Sequence, residues 1–494
     1  MGCEKFQPFP NNEIYNIYGQ CDEAAYTQLT SSPFINGVRN DNTVNCTITI
    51  VSSDNVFQST GAFRIIGYGS RLYKKVSWGF KFFDKKFLGR KSIKIRALAN
   101  DPTLIREKVT TELFKSVGVP VQEGTYARLF INGDTYGLYV LFDSLSKRWL
   151  GSYIHGNASA KIGVSYKLFS TPPDGPYSDF KYLGEDFKFY SNNNTYSIDE
   201  YEEDQYQPED IEGKYQRLIE FIKMFDDWVK NYGNDTSDKA VEELGKFLNI
   251  EALLRLLVIE TLTLAMDNFF LAMSNSAIYY NPEKNKYIIL PFDFDQAMGG
   301  IKDNDIINND TVLQDCITWV NYKDNEVFDH YFTNNLLKHP KIKERYNVIL
   351  KITSSETFEA DTVSNYVHAL ADLIKEDVQW NFESIDQLNI PYDGYVNHFT
   401  YDQFQSNIDY GHVEYDKGNS VSDAPWGIKE WVEARGNACL AATKDIDTSK
   451  NDNISDNEDV KTFISGAFIS GASTPLAISF VIIPISHLIL NFLL

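Results

Sequence analysis

Positive charge is what this sequence has least of. Its 494 residues carry 46 Lys and Arg against 68 Asp and Glu, a formal net charge of −22 at pH 7. Nucleic-acid binding needs a surplus of Lys and Arg on some surface, and no dense basic stripe occurs, so that class is excluded. Cysteine is also scarce, with five residues, Cys3, Cys21, Cys46, Cys316 and Cys439. They form no CxxC pair and no Cys/His cluster, which excludes an ordinary structural zinc site. Apolar residues are not lacking: 43% are hydrophobic and 14% aromatic, which excludes an intrinsically disordered chain. The length allows roughly three domains or one large two-lobed unit. An acidic surface of this kind favours cations, metals or basic partner proteins.

Charge disappears altogether at the C-terminal end. Leu476–Leu494 reads LAISFVIIPISHLILNFLL, with no Asp, Glu, Lys or Arg, and nearly matches the thickness of a bilayer core. Upstream lie Ser465-Gly466-Ala467 and a spacer, Phe468–Pro475. Small residues, spacer and apolar tail make the pattern of a GPI-attachment signal, with Ser465 as the expected site and Ser470-Gly471-Ala472 as a second. A tail anchor or a buried helix are the alternatives, against which stand Pro484 and His487. Residues 444–464 read as an acidic, solvated stalk and 465–494 as the signal. Six Asn-x-Ser/Thr sequons, at Asn45, Asn157, Asn193, Asn234, Asn309 and Asn453, agree with secretion to the cell surface. MGCEKFQPFP has no apolar stretch to serve as a signal peptide, so a truncated or misassigned start is one reading. Phe6 spoils the myristoylation pattern opened by Met1-Gly2. In an oxidising compartment two disulfides with one cysteine left over are expected, their pairing open.

Along the middle, VNCTITIVSSDNVFQST alternates apolar and polar residues and predicts strands within residues 1–60. Residues 61–145 predict three strands, a helix and a hairpin. The helix is expected to open with Asp101 as N-cap and Pro102 at its first position, and to end at Gly118. TYARLFI and YGLYVLF flank Asn132-Gly133, the strongest short hairpin signal. Residues 150–212 read as loop and end in a dense acidic run, Asp199 to Glu212, expected to be a solvated loop or a cation-binding or basic-substrate surface. Leu218, Phe221, Ile222, Phe225 and Val229 follow helical spacing, and Ala252–Met266 predicts a buried helix. Residues 146–443 are thus expected to be a mainly helical unit.

Four features at the seam carry chemistry. Gly67-Tyr68-Gly69-Ser70 either cradles phosphate with its backbone or makes a plain tight turn. Lys94 lies on the strand KSIKIRAL just before the helix holding Arg106, Glu107 and Glu112. A strand lysine facing a helix glutamate, here Glu107, can hold nucleotide phosphates, with Lys74, Lys75 and Arg96 competing for the role. Asp267 follows the buried helix and Asn275 comes after seven intervening residues. This suits an acceptor-orienting Asp and a metal-ligating Asn, or else a helix C-cap at Asp267-Asn268. The sharpest feature is Pro291-Phe292-Asp293-Phe294-Asp295 at the end of an apolar strand. Asp is depleted in strands, and two on one face repel unless a cation lies between them. A salt-bridged surface pair and a calcium-binding lectin are the alternatives, the latter without an EF-hand pattern.

In order along residues 60–435, the stretches FRIIGYGS, KSIKIRALANDPTLIREK, YARLFINGDTYGLYVLFD, VIETLTLAMDN, ILPFDFDQAMGG and APWGIKEWVEAR resemble the spore coat protein CotH family, in particular its fungal surface branch. The resemblance implies an α+β, bilobal, atypical protein-kinase-like fold and transfer of phosphate from ATP, with Mg²⁺ or Mn²⁺, to Ser or Thr of protein substrates. It places the catalytic Asp at Asp267, the metal Asp at Asp293, Asn275 as co-ligand and Asp295 as helper. Gly67, Gly69, Ser70, Lys75, Lys94 and Glu107 are the expected nucleotide contacts. Phe292 stands where the bacterial branch usually has Trp, and DNFFLAMSNSA replaces its catalytic-loop motif. The fungal branch also implies a second role, a GPI-anchored adhesin, invasin or coat protein that binds a surface receptor without catalysis.

Overall fold

The computed structural model describes residues 6–10, 12–171, 175–265, 267–300, 312–313, 316, 330–414, 426–449 and 451–454. The expected GPI signal with Ser465, the sequon at Asn309 and Cys3 lie outside them. Among the described residues no helix is long and apolar enough to cross a membrane.

The N-terminal third is a closed barrel of seven strands in the order β1-β4-β5-β6-β7-β9-β8. They are β1 (Ile14–Cys21), β4 (Val44–Val51), β5 (Val56–Ile66), β6 (Ser77–Phe82), β7 (Ser92–Arg96), β8 (Gly124–Ile131) and β9 (Asp134–Asp143). A small hairpin, β2 (Phe34–Ile35) and β3 (Val38–Arg39), stands outside the barrel. Neighbours are antiparallel except for β1 and β8, whose parallel pairing closes the ring. Closure leaves no sheet edge open to another chain. Alternation does the rest: Ile17, Ile48, Ile50, Phe63, Trp78, Ile93, Ile95 and Leu129 fill the interior. Asn132 and Gly133 turn the β8–β9 hairpin with φ of 48° and 90°, as a type I′ turn requires. Cys21 and Cys46 are direct cross-strand partners and form one disulfide; Cys316 and Cys439 form a second.

The helical part contains α1 (Glu23–Ser31), beside the barrel, then α2 (Arg106–Ser116), α3 (Lys147–Trp149), α4 (Lys188–Ser191), α5 (Ile211–Tyr232), α6 (Asp238–Gly245), α7 (Ile250–Thr263), α8 (Phe269–Ala272), α9 (Tyr331–Lys338), α10 (Pro340–Ile352), α11 (Ala360–Ser384), α12 (Tyr401–Asn407) and α13 (Ile428–Ala442). Every residue of α7 is buried, as its all-round apolarity predicts. Although α2 interrupts the barrel strands in sequence, its Val109, Leu113 and Phe114 belong to the helical core, and it packs on α7. It therefore wedges between the two parts. A second sheet, β11-β10-β12-β13, is built from β10 (Ser165–Leu168), β11 (Tyr196–Glu200), β12 (Ser276–Asn281) and β13 (Lys286–Pro291).

Three expectations need correction. First, α2 begins at Arg106, after Leu104 has taken a left-handed φ of 55°. Asp101 still satisfies the helix start, but from further out, accepting from the backbone N–H groups of Ile105 and Arg106 at 3.1 and 3.0 Å. Second, residues 150–212 are not all loop, since they supply β10 and β11. The acidic run in it is matched by basic partners brought from elsewhere: Asp199 with Lys167, Glu202 with Arg217 at 3.1 Å, Glu203 with Lys147 and Asp204 with Lys161 at 2.9 Å. Asp210 caps α5. Third, part of the stalk is docked. Arg345 donates to Asn451 at 2.7 Å, Arg255 to Asn453 at 3.1 Å, and the Ile454 N–H to Glu251 at 3.2 Å.

Candidate functional site

The site forms where β7 and α2 meet the ends of α7, β12 and β13. In β7, Ile93 and Ile95 point into the barrel, so the alternate residues Lys94 and Arg96 must both point out. The first turn of α2 supplies Glu107. That helix end is fixed by the buried Arg106, which pairs with Asp101 at 2.7 Å and donates to Asn407 at 2.9 Å and to the Trp426 carbonyl at 2.8 Å.

From the other side, α7 stops at Leu264, in a left-handed conformation with φ of 45°, and the chain turns to present Asp267. This ending excludes the C-cap reading of Asp267-Asn268. The turn is braced from within α7: buried Glu260 accepts from the Phe270 N–H at 2.5 Å. Asn268 donates to the Phe292 carbonyl at 3.1 Å. Asn275, just before β12, accepts the Phe292 N–H on its carbonyl at 3.0 Å, which sets it beside Asp293 at the end of β13. Met273, Asn275 and Asp293 also have positive φ, of 50°, 44° and 67°. Such backbone costs about 1–3 kcal/mol per residue and concentrates at functional sites.

One guanidinium organises the acidic groups. Arg96 grips Asp293 with both terminal nitrogens, one of them at 2.7 Å from Oδ2. The same side chain lies 3.4 Å from Asp295 and 3.3 Å from Glu107. The helix glutamate is thus paired, but with Arg96 and not with Lys94. Lys94 instead sits over the Phe292 ring, 5.5 Å from its centroid, with Lys167 and Asp199 close by. It has no hydrogen bond or ion pair to a described residue. Burial and the Lys167 charge pull its ammonium down to about 8.

Asp267 accepts from the Gln296 amide at 3.1 Å through Oδ2, while its Oδ1 is buried with no partner. Burial and the neighbouring Asp293 charge push its carboxyl up to about 7, opposed by Arg96 and the Asn275 amide. Burial pushes Glu107 up to about 7 against the pull of Arg96. Burial and Asp293 hold Asp295 well above the usual carboxylate range. In all three the largest cause is burial, to which the neighbouring Asp293 charge adds and which Arg96 opposes.

The remaining expected contacts lie apart from this cluster. Lys75 is buried and donates to the Leu138 carbonyl at 2.5 Å and to Asn381 at 2.8 Å. Burial alone pulls it down to about 7, with no carboxylate near enough to offset that, so it is outside the acidic site. Gly67 has φ of +81°, and Ser70 Oγ donates back to the Ile66 carbonyl at 3.1 Å. Arg71 stitches this turn to the β2–β3 hairpin region through the Pro33 and Asn40 carbonyls. Gly67, Gly69 and Ser70 therefore make a tight turn whose bonds run to its own neighbours. Asn45, Asn157, Asn193, Asn234 and Asn453 are all exposed.

Sequence reasoning missed Tyr73, whose buried, unpartnered hydroxyl feels the Asp295 charge. It also missed Gln296, Lys167 and Glu260. Glu260 had a readable signal, as a lone carboxylate in an otherwise apolar helix stretch.

A divalent cation fits the donor chemistry. Asp267, Asn275, Asp293 and Asp295 offer only hard oxygens, which suit Mg²⁺ or Mn²⁺ and not zinc. The orphaned Oδ1 of Asp267 is the sign of an unfilled valence there. Among the described residues no group of three or more His, Cys, Asp or Glu is disposed to hold a metal ion.

A closed strand barrel beside a helical body, with a cluster of carboxylates where β7 and α2 meet the ends of β12 and β13, defines a large α+β protein with an acidic site at its seam. A family model described as CotH kinase protein matches residues 63–438, and the chain belongs to the CotH family. Among curated proteins it is 26% identical to Invasin CotH2 of Rhizopus delemar over 448 residues, covering 88% of this chain and 68% of that protein. It is 27% identical to Spore coat protein homolog 1 of the same organism over 375 residues, 74% of this chain and 54% of that one. Inner spore coat protein H of Bacillus subtilis is 23% identical over 232 residues, 46% of this chain and 56% of that protein. The chain thus spans between about half and two thirds of these relatives.

Proposed function

We propose that this protein is an atypical protein kinase of the CotH type, carrying the γ-phosphate of ATP to Ser or Thr of secreted or surface proteins. The observation that carries this reading is the convergence of Asp267, Asn275 and Asp293 opposite an unpaired Lys94. Asn275, Asp293 and Asp295 are the residues to hold Mg²⁺ or Mn²⁺. When bound, the metal neutralises phosphate charge. Lys94 offers an uncommitted cation to the phosphates across the cleft. Asp267 is held by Gln296 with one oxygen free, as suits a group that orients an acceptor hydroxyl and takes its proton. Arg96 fixes Glu107, and through it α2, to the same cleft. The two parts correspond, on this reading, to the small and large lobes of a kinase.

The test is incubation of the purified chain with radiolabelled ATP, Mg²⁺ or Mn²⁺ and a casein-like substrate. Labelling is expected in wild type and a loss of 100-fold or more, on the order of one catalytic group's contribution, in Asp267→Asn. Undiminished labelling in both Asp267→Asn and Asp293→Ala would sink the assignment.

The names of the relatives, invasin and spore coat protein, favour a second reading for the location: a surface or coat protein, held by a GPI anchor at Ser465, that engages a receptor. Release of the chain from a membrane fraction by phosphatidylinositol-specific phospholipase C, lost in Ser465→Leu with Ser470→Leu, tests the anchor. Cell binding that survives Asp293→Ala would assign receptor engagement to a surface other than the cleft.

A further inference from the structure

The notable feature of the cleft is that the place between Asp293 and Asp295 is already filled by a cation. Arg96 takes both carboxylate oxygens of Asp293 in a fork and reaches Asp295 at 3.4 Å while its Nε holds Glu107 at 3.3 Å. The fork matches the in-plane lone pairs of a carboxylate, and those are the same lone pairs a metal uses. Arg96 is only 12% exposed, so solvent screens this contact little.

The geometry points to Arg96 as an internal competitor for the divalent cation: a side chain of the barrel that occupies the metal position and must leave Asp293 before a metal can enter. This deepens the kinase reading and rests on its assignment of Asp293 and Asp295 as metal ligands. The alternative partner for the displaced guanidinium lies nearby. Glu107, already in contact, can retain Nε while the two terminal nitrogens become free for phosphate, which Arg recognises through the same fork. Metal entry then brings a phosphate-seeking arginine with it, and the cleft is built to take metal and nucleotide together in preference to metal alone. Lys94, one pleat away on the same face, stays in place because no carboxylate claims it.

The competition is measured without nucleotide. Mn²⁺ alone is titrated into the full chain by isothermal calorimetry and by the loss of the free-ion electron spin resonance signal. Arg96→Gln is expected to bind Mn²⁺ at least tenfold more tightly than wild type, and the gain is expected to vanish in Arg96→Gln with Asp293→Ala. Equal or weaker binding by Arg96→Gln overturns the inference. If that variant does not fold, Arg96→Lys decides on the same criterion. A single-point ammonium cannot span both aspartates, so a smaller gain over wild type is expected and no gain overturns. Nucleotide affinity is read separately by a fluorescent ADP analogue with saturating Mn²⁺. Wild type that binds Mn²⁺ but no nucleotide refutes the kinase reading and leaves the competition standing.

Discussion

At the scale of single residues, the site is set by how few cations serve how many carboxylates. Asp267, Glu107 and Asp295 are all held above their ordinary range, chiefly by burial and then by the Asp293 charge, with Arg96 opposing. In the proposed role of proton acceptor, Asp267 must be ionised. With its carboxyl near 7, kcat/KM without preloaded metal is expected to rise with pH through about 7 and then level off. A profile flat from pH 6 to 8 would contradict that role. Glu260 makes a stability prediction. Burial raises it from 4.5 to about 8, so between those values the folded chain binds more protons than the unfolded one. Stability therefore falls as pH rises across that window, by up to about 1.4 kcal/mol per pH unit from this group. Glu260→Gln can still accept the Phe270 N–H, and urea denaturation of the variant should lose much of the decline seen in wild type between pH 5 and 8. An unchanged slope would remove Glu260 as its source.

At the scale of elements, local chemistry was legible wherever it was strong. The Asn132-Gly133 turn, the periodic face of α5 and the buried α7 follow directly from their residues. So does the outward pair Lys94 and Arg96, since a period of two puts both on one side of β7. What alternation could not decide was which of them takes Glu107, because that depends on where the end of β13 places Asp293 and Asp295, nearly 200 residues later. The start of α2 misled for a related reason: Asp101-Pro102-Thr103 has the composition of a helix opening, but the turn through Leu104 intervenes. β10 and β11 escaped notice because strands of four and five residues among Tyr, Asn and Gly carry little pattern. Lys75 supplies the test at this scale. It ties the barrel to α11 through Asn381, so Lys75→Met is expected to leave Mn²⁺–nucleotide affinity within about threefold of wild type, while Lys94→Met lowers it at least tenfold. The reverse order in an ADP-analogue titration would return Lys75 to the nucleotide site.

For the molecule as a whole, the acidic balance resolves into separate parts. Much of the run from Asp199 to Glu212 is paired internally, which weakens the case for it as a free acidic recognition surface. At the seam, by contrast, Asp267, Asp295 and Glu107 crowd around Asp293 and share Arg96. Long-range closure is borne by the Cys316–Cys439 disulfide, with a sequence separation of 123, against 25 for Cys21–Cys46. On chain-entropy scaling the first contributes about 5 kcal/mol and the second about 3.5 kcal/mol. Cys316→Ser with Cys439→Ser should therefore lower the urea midpoint more than Cys21→Ser with Cys46→Ser; the opposite order would mean that the long loop is closed by packing alone. The central claim, that the seam is a metal–nucleotide site, is tested most directly by thermal unfolding with and without Mg-ATP in wild type and Asp293→Ala. At 100 times Kd a ligand stabilises by about 2.7 kcal/mol, so wild type should show a clear rise in Tm that needs both Mg²⁺ and ATP and that Asp293→Ala loses. A Tm unmoved by Mg-ATP in wild type, or moved equally in the variant, would contradict it.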